Sequence, residues 1–235
     1  MSHAITRSAI DIPGPDELRD AYELELRCAN GDPVRLGELI CEKGDHITTI
    51  IVFVRHFFCA YDQDYVRTIS HHLTDSLLQS LPSTSSTGPS QLIIIGCGDP
   101  ALITPYVSET STPFPIYSDP SGRIYESLHM TRTTSNIMEQ PSYSTIGFWR
   151  SLGKAFRQMA ASGWKGLRGG GWGQNGGEWV FKDGKCVYVH RMKNVGDHLT
   201  AGELLEVLGC GAGDEEGEVG KAKEEMREEV ERRLD

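Results

Sequence analysis

A chain of 235 residues, 38% of them hydrophobic, is long enough to bury one substantial core, and a net charge of −10 argues against a nucleic-acid binder, which would present a basic face. No stretch approaches the roughly 20 apolar residues of a membrane-spanning helix, and Met1–Ile12 lacks the apolar segment of a secretory leader. Six cysteines, at positions 28, 41, 59, 97, 186 and 210, stand singly, without a Cys-x-x-Cys pair or metal-ligand spacing, which predicts free thiols in a reducing, cytoplasmic setting.

Residues 1–15 are polar, punctuated by Pro13, Gly14 and Pro15, and read as a loose arm. In Asp16–Cys28, Leu18, Tyr22 and Leu26 recur every four residues and predict a short amphipathic helix. Asn30-Gly31-Asp32-Pro33 signals a turn, and Val34–Glu38 a short strand with a following turn. Ile50–Val54 is apolar and β-branched, the pattern of a buried strand. Tyr65, Ile69 and Leu73, continued by Leu77 and Leu81, then hold one face of a helix. Cys59 therefore falls where a central strand gives way to a helix. Unpaired amide N–H groups and the positive end of the helix dipole favour a thiolate there, the reactive form of cysteine.

Pro82–Ser90 is a low-complexity loop. Gln91–Gly96 predicts a second buried strand, Asp99–Glu109 a helix, Pro115–Pro120 a third short strand and Arg123–Met130 another helix. Residues 131–175 are the least regular part and read as an insertion, within which Trp149, Leu152, Phe156 and Met159 share a helical face. Glu178–Phe181 and Cys186–His190 flank Asp183-Gly184, a strong hairpin signal. Ala201–Leu208 is a closing helix ended by Gly209. Residues 212–235 form a charged tail, in which Asp214–Asp235 carries ten acids and five bases and suits a solvated helix or extension.

Parallel crossovers followed by a hairpin and a helix give a thioredoxin-like α/β order, a sandwich around a central mixed sheet spanning residues 16–211. The motifs Val52–Cys59, Asp64-Tyr65-Val66, Ile116–Pro120, Ile124–Leu128, Asn175–Phe181, His190-Arg191 and Asp197-His198 resemble the peroxiredoxin-like AhpC/TSA family, in the thioredoxin-like branch that includes prostamide/prostaglandin F synthase. The resemblance implies an antioxidant, thiol-dependent oxidoreductase acting on a peroxide or endoperoxide. It implies no bound cofactor, an external thiol or NADPH-linked reductant, and allows a homodimer.

In that reading Cys59 attacks the O–O bond, while Arg55 and the helix amides stabilise the leaving oxygen. Cys97, at the carboxyl end of the neighbouring strand, is the candidate resolving cysteine. His56, Asp62, Gly176 and Gly177 stand near the site. The departures are specific. Where the branch shows Cys-x-x-Cys, this chain reads Cys59-Ala60-Tyr61-Asp62, and a carboxylate cannot resolve a mixed disulfide or sulfenic acid. His56 replaces the Thr or Ser found three residues before a peroxiredoxin cysteine, and Gly176-Gly177 occupies the place of the thioredoxin cis-proline.

Asp62 is an anion within a turn of Cys59, so only modest activation is expected, to a thiol pKa of about 7–8 against a free value of about 8.5. Asp62 itself reads as a helix-cap acid in preference to a catalytic base. Arg55 either steadies a thiolate or forms a salt bridge under the sheet, and His56 reads as a packed strand residue. Two function classes therefore stand: a one-cysteine thiol-dependent oxidoreductase, or a non-catalytic thioredoxin-fold binding or accessory protein that has lost its dithiol.

Overall fold

The structure, a computed structural model, describes residues 8–41, 48–81, 88–133, 153, 171 and 173–210. The apolar stripe Trp149, Leu152, Phe156 and Met159 and the tail at 212–235 lie outside the described residues. Helix α1 (Pro15–Tyr22) leads into strands β1 (Glu25–Arg27) and β2 (Pro33–Arg35) and helix α2 (Leu36–Cys41). Strand β3 (Thr48–Phe53) is followed by α3 (Ala60–His72) and α4 (Asp75–Ser80). Strand β4 (Ser90–Cys97) leads through a tight turn to α5 (Ile103–Thr110), then β5 (Ile116–Asp119) and α6 (Arg123–Ser127). The hairpin β6 (Gly177–Lys182) and β7 (Lys185–Arg191) precedes α7 (Ala201–Leu205).

The seven strands form one mixed sheet in the order β2-β1-β5-β4-β3-β6-β7. Strand β4 runs parallel to β3 and β5, whereas β6 is antiparallel to β3 and β7 antiparallel to β6. This is the thioredoxin-like arrangement that the order of elements predicts. Every residue of β3 is buried, because helices cover both faces of the sheet. Ile50 and Val52 face α3, α5 and α7 with Tyr65, Ile69, Tyr106 and Leu204, and Ile51 and Phe53 face the opposite layer with Leu36, Tyr125 and Trp179. The hairpin turn matches its sequence: Asp183 and Gly184 both take positive φ, 50° and 71°.

Three local expectations change. The helix predicted for Asp16–Cys28 stops at Tyr22, and Glu25–Arg27 becomes a strand with Leu26 buried between more exposed neighbours. Pairing with β2 and with Ser118 of β5 outweighs the helical spacing there. The helix after Cys59 breaks at Leu73, and Thr74 starts α4 by accepting the Leu77 amide on its hydroxyl. Ser8–Gly14, read as part of a loose arm, is held instead: the Arg191 amide donates to the Ala9 carbonyl, and its guanidinium to those of Ser8 and Asp11.

Candidate active site

Strand β3 ends at Phe53, and Cys59 serves as the N-cap of α3, with φ −70° and ψ 109°. Its amide donates to the His56 carbonyl and its own carbonyl accepts the Gln63 amide, so the thiol sits where the helix amides begin. Arg55, 2% exposed, directs its guanidinium at this thiol: Nη1 lies 3.3 Å from Cys59 Sγ, and Nε donates to the Gln174 carbonyl at 3.1 Å. The Arg55 amide donates to Asp62 Oδ2 at 2.5 Å. The Asp62 carboxylate thus turns back out of its own helix, which displaces the helix-cap reading.

From Asp62 a line of ionisable groups crosses the core. Asp62 Oδ1 is 3.6 Å from His198 Nε2, an ion-pair distance rather than a hydrogen bond. His198 Nδ1 lies 2.5 Å from Glu178 Oε1, and Glu178 Oε2 lies 2.7 Å from His190 Nδ1. His190 Nε2 in turn is 3.7 Å from Asp197 Oδ2, near the surface. Strand alternation explains Glu178: it shares a face with Val180 and stands opposite Val52 and His190, so it points into the layer beneath α3.

These surroundings set the charges. Burial, then the Asp62 charge, pushes the Cys59 thiol up to about 12, with Arg55 only partly opposing. The expected modest activation is therefore reversed, because burial outweighs the helix end. Burial would raise Asp62, but His198, Arg55 and His56 together hold its carboxyl below the ordinary range. Burial would likewise lower His198, but Glu178 and Asp62 push it up to about 9, making it an imidazolium between two carboxylates. His190 also rises to about 9, against burial, through Asp197 and Glu178. His56 falls to about 4 through burial and the Arg55 charge, and stays neutral.

Cys59 and Cys97 are both free thiols and pack in different apolar clusters. Cys97 ends β4 on the face shared by Ile93, Ile95 and Tyr125, away from the layer of α3. It lines a cavity of about 740 Å³ with Asp99, Pro120, Arg132 and Gln174. Gly176 and Gly177 pack where no side chain fits: a Cβ on Gly176 would fall 1.7 Å from the Phe53 carbonyl oxygen, and Gly177 has φ +147°. Sequence reasoning assigned no role to Glu178, His198 or His190. A glutamate at an inward position of an apolar strand was the available signal.

Among the described residues no group of side chains could hold a metal ion, and no helix is long and apolar enough to cross a membrane. Fold and site together define a thioredoxin-like protein with a cysteine at the strand–helix junction and a carboxylate three residues further on, in the first turn of the helix. A sequence profile described as AhpC/TSA antioxidant enzyme matches residues 76–194, a stretch that holds Glu178 and His190 and begins after Cys59. The chain is 30% identical over 201 residues to Peroxiredoxin-like 2C of Bos taurus, covering 80% of this chain and 77% of that protein. The corresponding Homo sapiens protein is 29% identical over 201 residues, covering 80% and 78%. Among solved structures, the bacterioferritin comigratory protein of Xanthomonas campestris superposes with a TM-score of 0.49 at 10% identity, covering 81% of this chain and 92% of that one. The chain belongs to the peroxiredoxin-like AhpC/TSA family, which supports a redox-related role.

Proposed function

We propose that the protein is a one-cysteine, thiol-dependent peroxidase. The Cys59 sulfur attacks one oxygen of the O–O bond, which breaks. A hydroperoxide leaves a sulfenic acid on the sulfur and departs as an alcohol, whereas an endoperoxide leaves a sulfenate ester that carries the new hydroxyl on the same molecule until a thiol displaces it. Arg55 and the amides at the start of α3 stabilise that leaving oxygen. An external thiol, itself kept reduced by an NADPH-linked system in a cytoplasmic setting, forms a mixed disulfide with Cys59. A second equivalent then releases the thiol. External resolution agrees with Cys97 lying on the other face of the sheet. The observation that carries this reading is the Arg55 guanidinium 3.3 Å from Cys59 Sγ at a helix N-terminus.

The test is peroxide consumption with an added thiol, together with mass spectrometry of residue 59. Cys59→Ser should abolish consumption, and the parent protein should carry a sulfenic acid or thiol adduct at Cys59. A second reading, a non-catalytic thioredoxin-fold accessory protein, is favoured by one observation: Cys59 is only 6% exposed, with its thiol pushed up to about 12. An unmodified Cys59, with Cys59→Ser unchanged in activity, would give that reading the field.

A further inference from the structure

A buried thiol that favours its S–H form has to lose its proton within the reaction, and the departing oxygen of a peroxide has to gain one. Asp62 stands three residues after Cys59 on the first turn of α3, the spacing at which side chains share a helix face. Its Oδ2 is pinned by the Arg55 amide, while Oδ1 has no hydrogen bond among the described residues and faces His198 across 3.6 Å. His198 is fully buried, stacked on Tyr65 and bonded to Glu178. Arg55 and His198 balance Asp62 and Glu178, so the buried charges come in opposing pairs.

We propose that Asp62 is the acid–base group of Cys59, with His198, seated on Glu178, as the positioning residue that aims and pairs its carboxylate. This rests on the peroxidase reading above. As the Cys59 sulfur attacks the terminal oxygen of a hydroperoxide and the O–O bond breaks, the S–H proton passes by way of the Asp62 carboxylate to the departing alkoxide, so that no protonated Asp62 accumulates. The products are a sulfenic acid at Cys59, an alcohol and the restored carboxylate. Sulfur is oxidised, the peroxide is reduced, and no proton is drawn from solvent.

The groups that face this pair come from every element around it. Arg55 and neutral His56 lie on the turn after β3, and Tyr65 lies on α3. Tyr106 of α5 is within electrostatic reach of both Cys59 and Asp62. Glu178 comes from β6 and His198 from the segment before α7. His190 and Asp197 continue the line outward.

Two reactions of the full chain separate a proton donor from a mere charge. Alkylation of Cys59 by iodoacetamide needs a thiolate, but its leaving iodide needs no proton; oxidation by hydrogen peroxide needs both. In Asp62→Asn, alkylation at neutral pH should speed up several-fold, because no anion opposes the thiolate, while peroxide oxidation should slow by roughly a hundredfold. Rates that rise together or fall together would overturn the proposal. In His198→Gln the acidic limb of the oxidation rate should move to higher pH, since Asp62 would then hold its proton longer, and an unmoved limb would overturn the role of His198. Should the variants fail to fold, nitrogen-15 spectra of the unaltered protein decide: His198 should carry protons on both ring nitrogens at neutral pH, and a neutral ring would overturn the proposal. A parent Cys59 that is alkylated but never oxidised by peroxide would instead defeat the peroxidase reading itself.

Discussion

His198 lies flat on Tyr65, with ring centroids 4.1 Å apart and planes 9° from parallel. A residue that arrives late in the chain is thereby anchored to the helix that begins at Cys59. The stack predicts a graded pair of effects. Tyr65→Phe keeps the ring and should cost no more than about 1 kcal/mol, the order of one hydroxyl's hydrogen bonding. Tyr65→Ala removes a fully buried ring and should cost about 3–5 kcal/mol in urea unfolding. Equal losses in the two variants would assign the effect to the hydroxyl and not to the stack.

The buried histidines predict how stability follows pH. His198 and His190 are pushed up from 6.5 to about 9, so their contribution is whole below pH 6.5 and is lost as pH rises toward 9. His56 is lowered from 6.5 to about 4, so its contribution is present above pH 6.5 and is lost as pH falls toward 4. Stability should therefore peak near pH 6.5. The alkaline side should be steeper, since two groups act there against one, each worth up to about 1.4 kcal/mol per pH unit. Urea midpoints across this range measure it, and a steady rise toward alkaline pH would refute it.

The glycine pair before β6 gives a sharp contrast with a glycine elsewhere. A Cβ on Gly176 would meet Phe53 backbone atoms at 1.7 and 2.6 Å, and Phe53 ends the strand that leads to Arg55. Backbone cannot yield as a flexible side chain would, so Gly176→Ala should cost at least about 4 kcal/mol or prevent folding. Gly202 in α7 has only Thr200 Oγ1 at 4.0 Å, so Gly202→Ala should be stabilising by about 0.5–1 kcal/mol. Circular dichroism melts of the two variants compare them directly. A Gly176→Ala variant that melts like the parent would show that the close approach to Phe53 is not maintained in solution.

The strand–helix junction at Cys59 was legible because β-branched runs and four-residue spacings are local signals. The same holds for β4 and for the Asp183-Gly184 hairpin. The position of Cys97 was half legible. Its place at the carboxyl end of β4 follows from the strand, but alternation along Ile93, Ile95 and Cys97 sends it to the face away from α3. The depth of Cys59 was not legible, because it depends on distant chain: Val195 packs in the same cluster as Cys59 and Tyr61. The line from Asp62 through His198 to Glu178 was illegible for the same reason. Asp62 is separated from Glu178 and His198 by more than a hundred residues, and they meet only after β6 pairs with β3.

Asp62→Cys puts a thiol back where the family branch carries one, and its outcome follows from what the carboxylate does now. The Arg55 amide would lose its acceptor and His198 one of its two counterions. The reduced variant should accordingly be less stable, by about 1–3 kcal/mol. Removing the anion also removes one of the two causes that raise the Cys59 thiol most, so thiolate should form at lower pH than in the parent. With a thiolate at the helix N-terminus and a second thiol on the same turn, mild oxidation should close an intramolecular disulfide. Mass spectrometry would read this as a loss of two hydrogens in the peptide containing Cys59, and thiol titration as two fewer reactive groups. Overoxidation of Cys59 to sulfinic acid with the introduced thiol still free would show that α3 does not present the two sulfurs to each other.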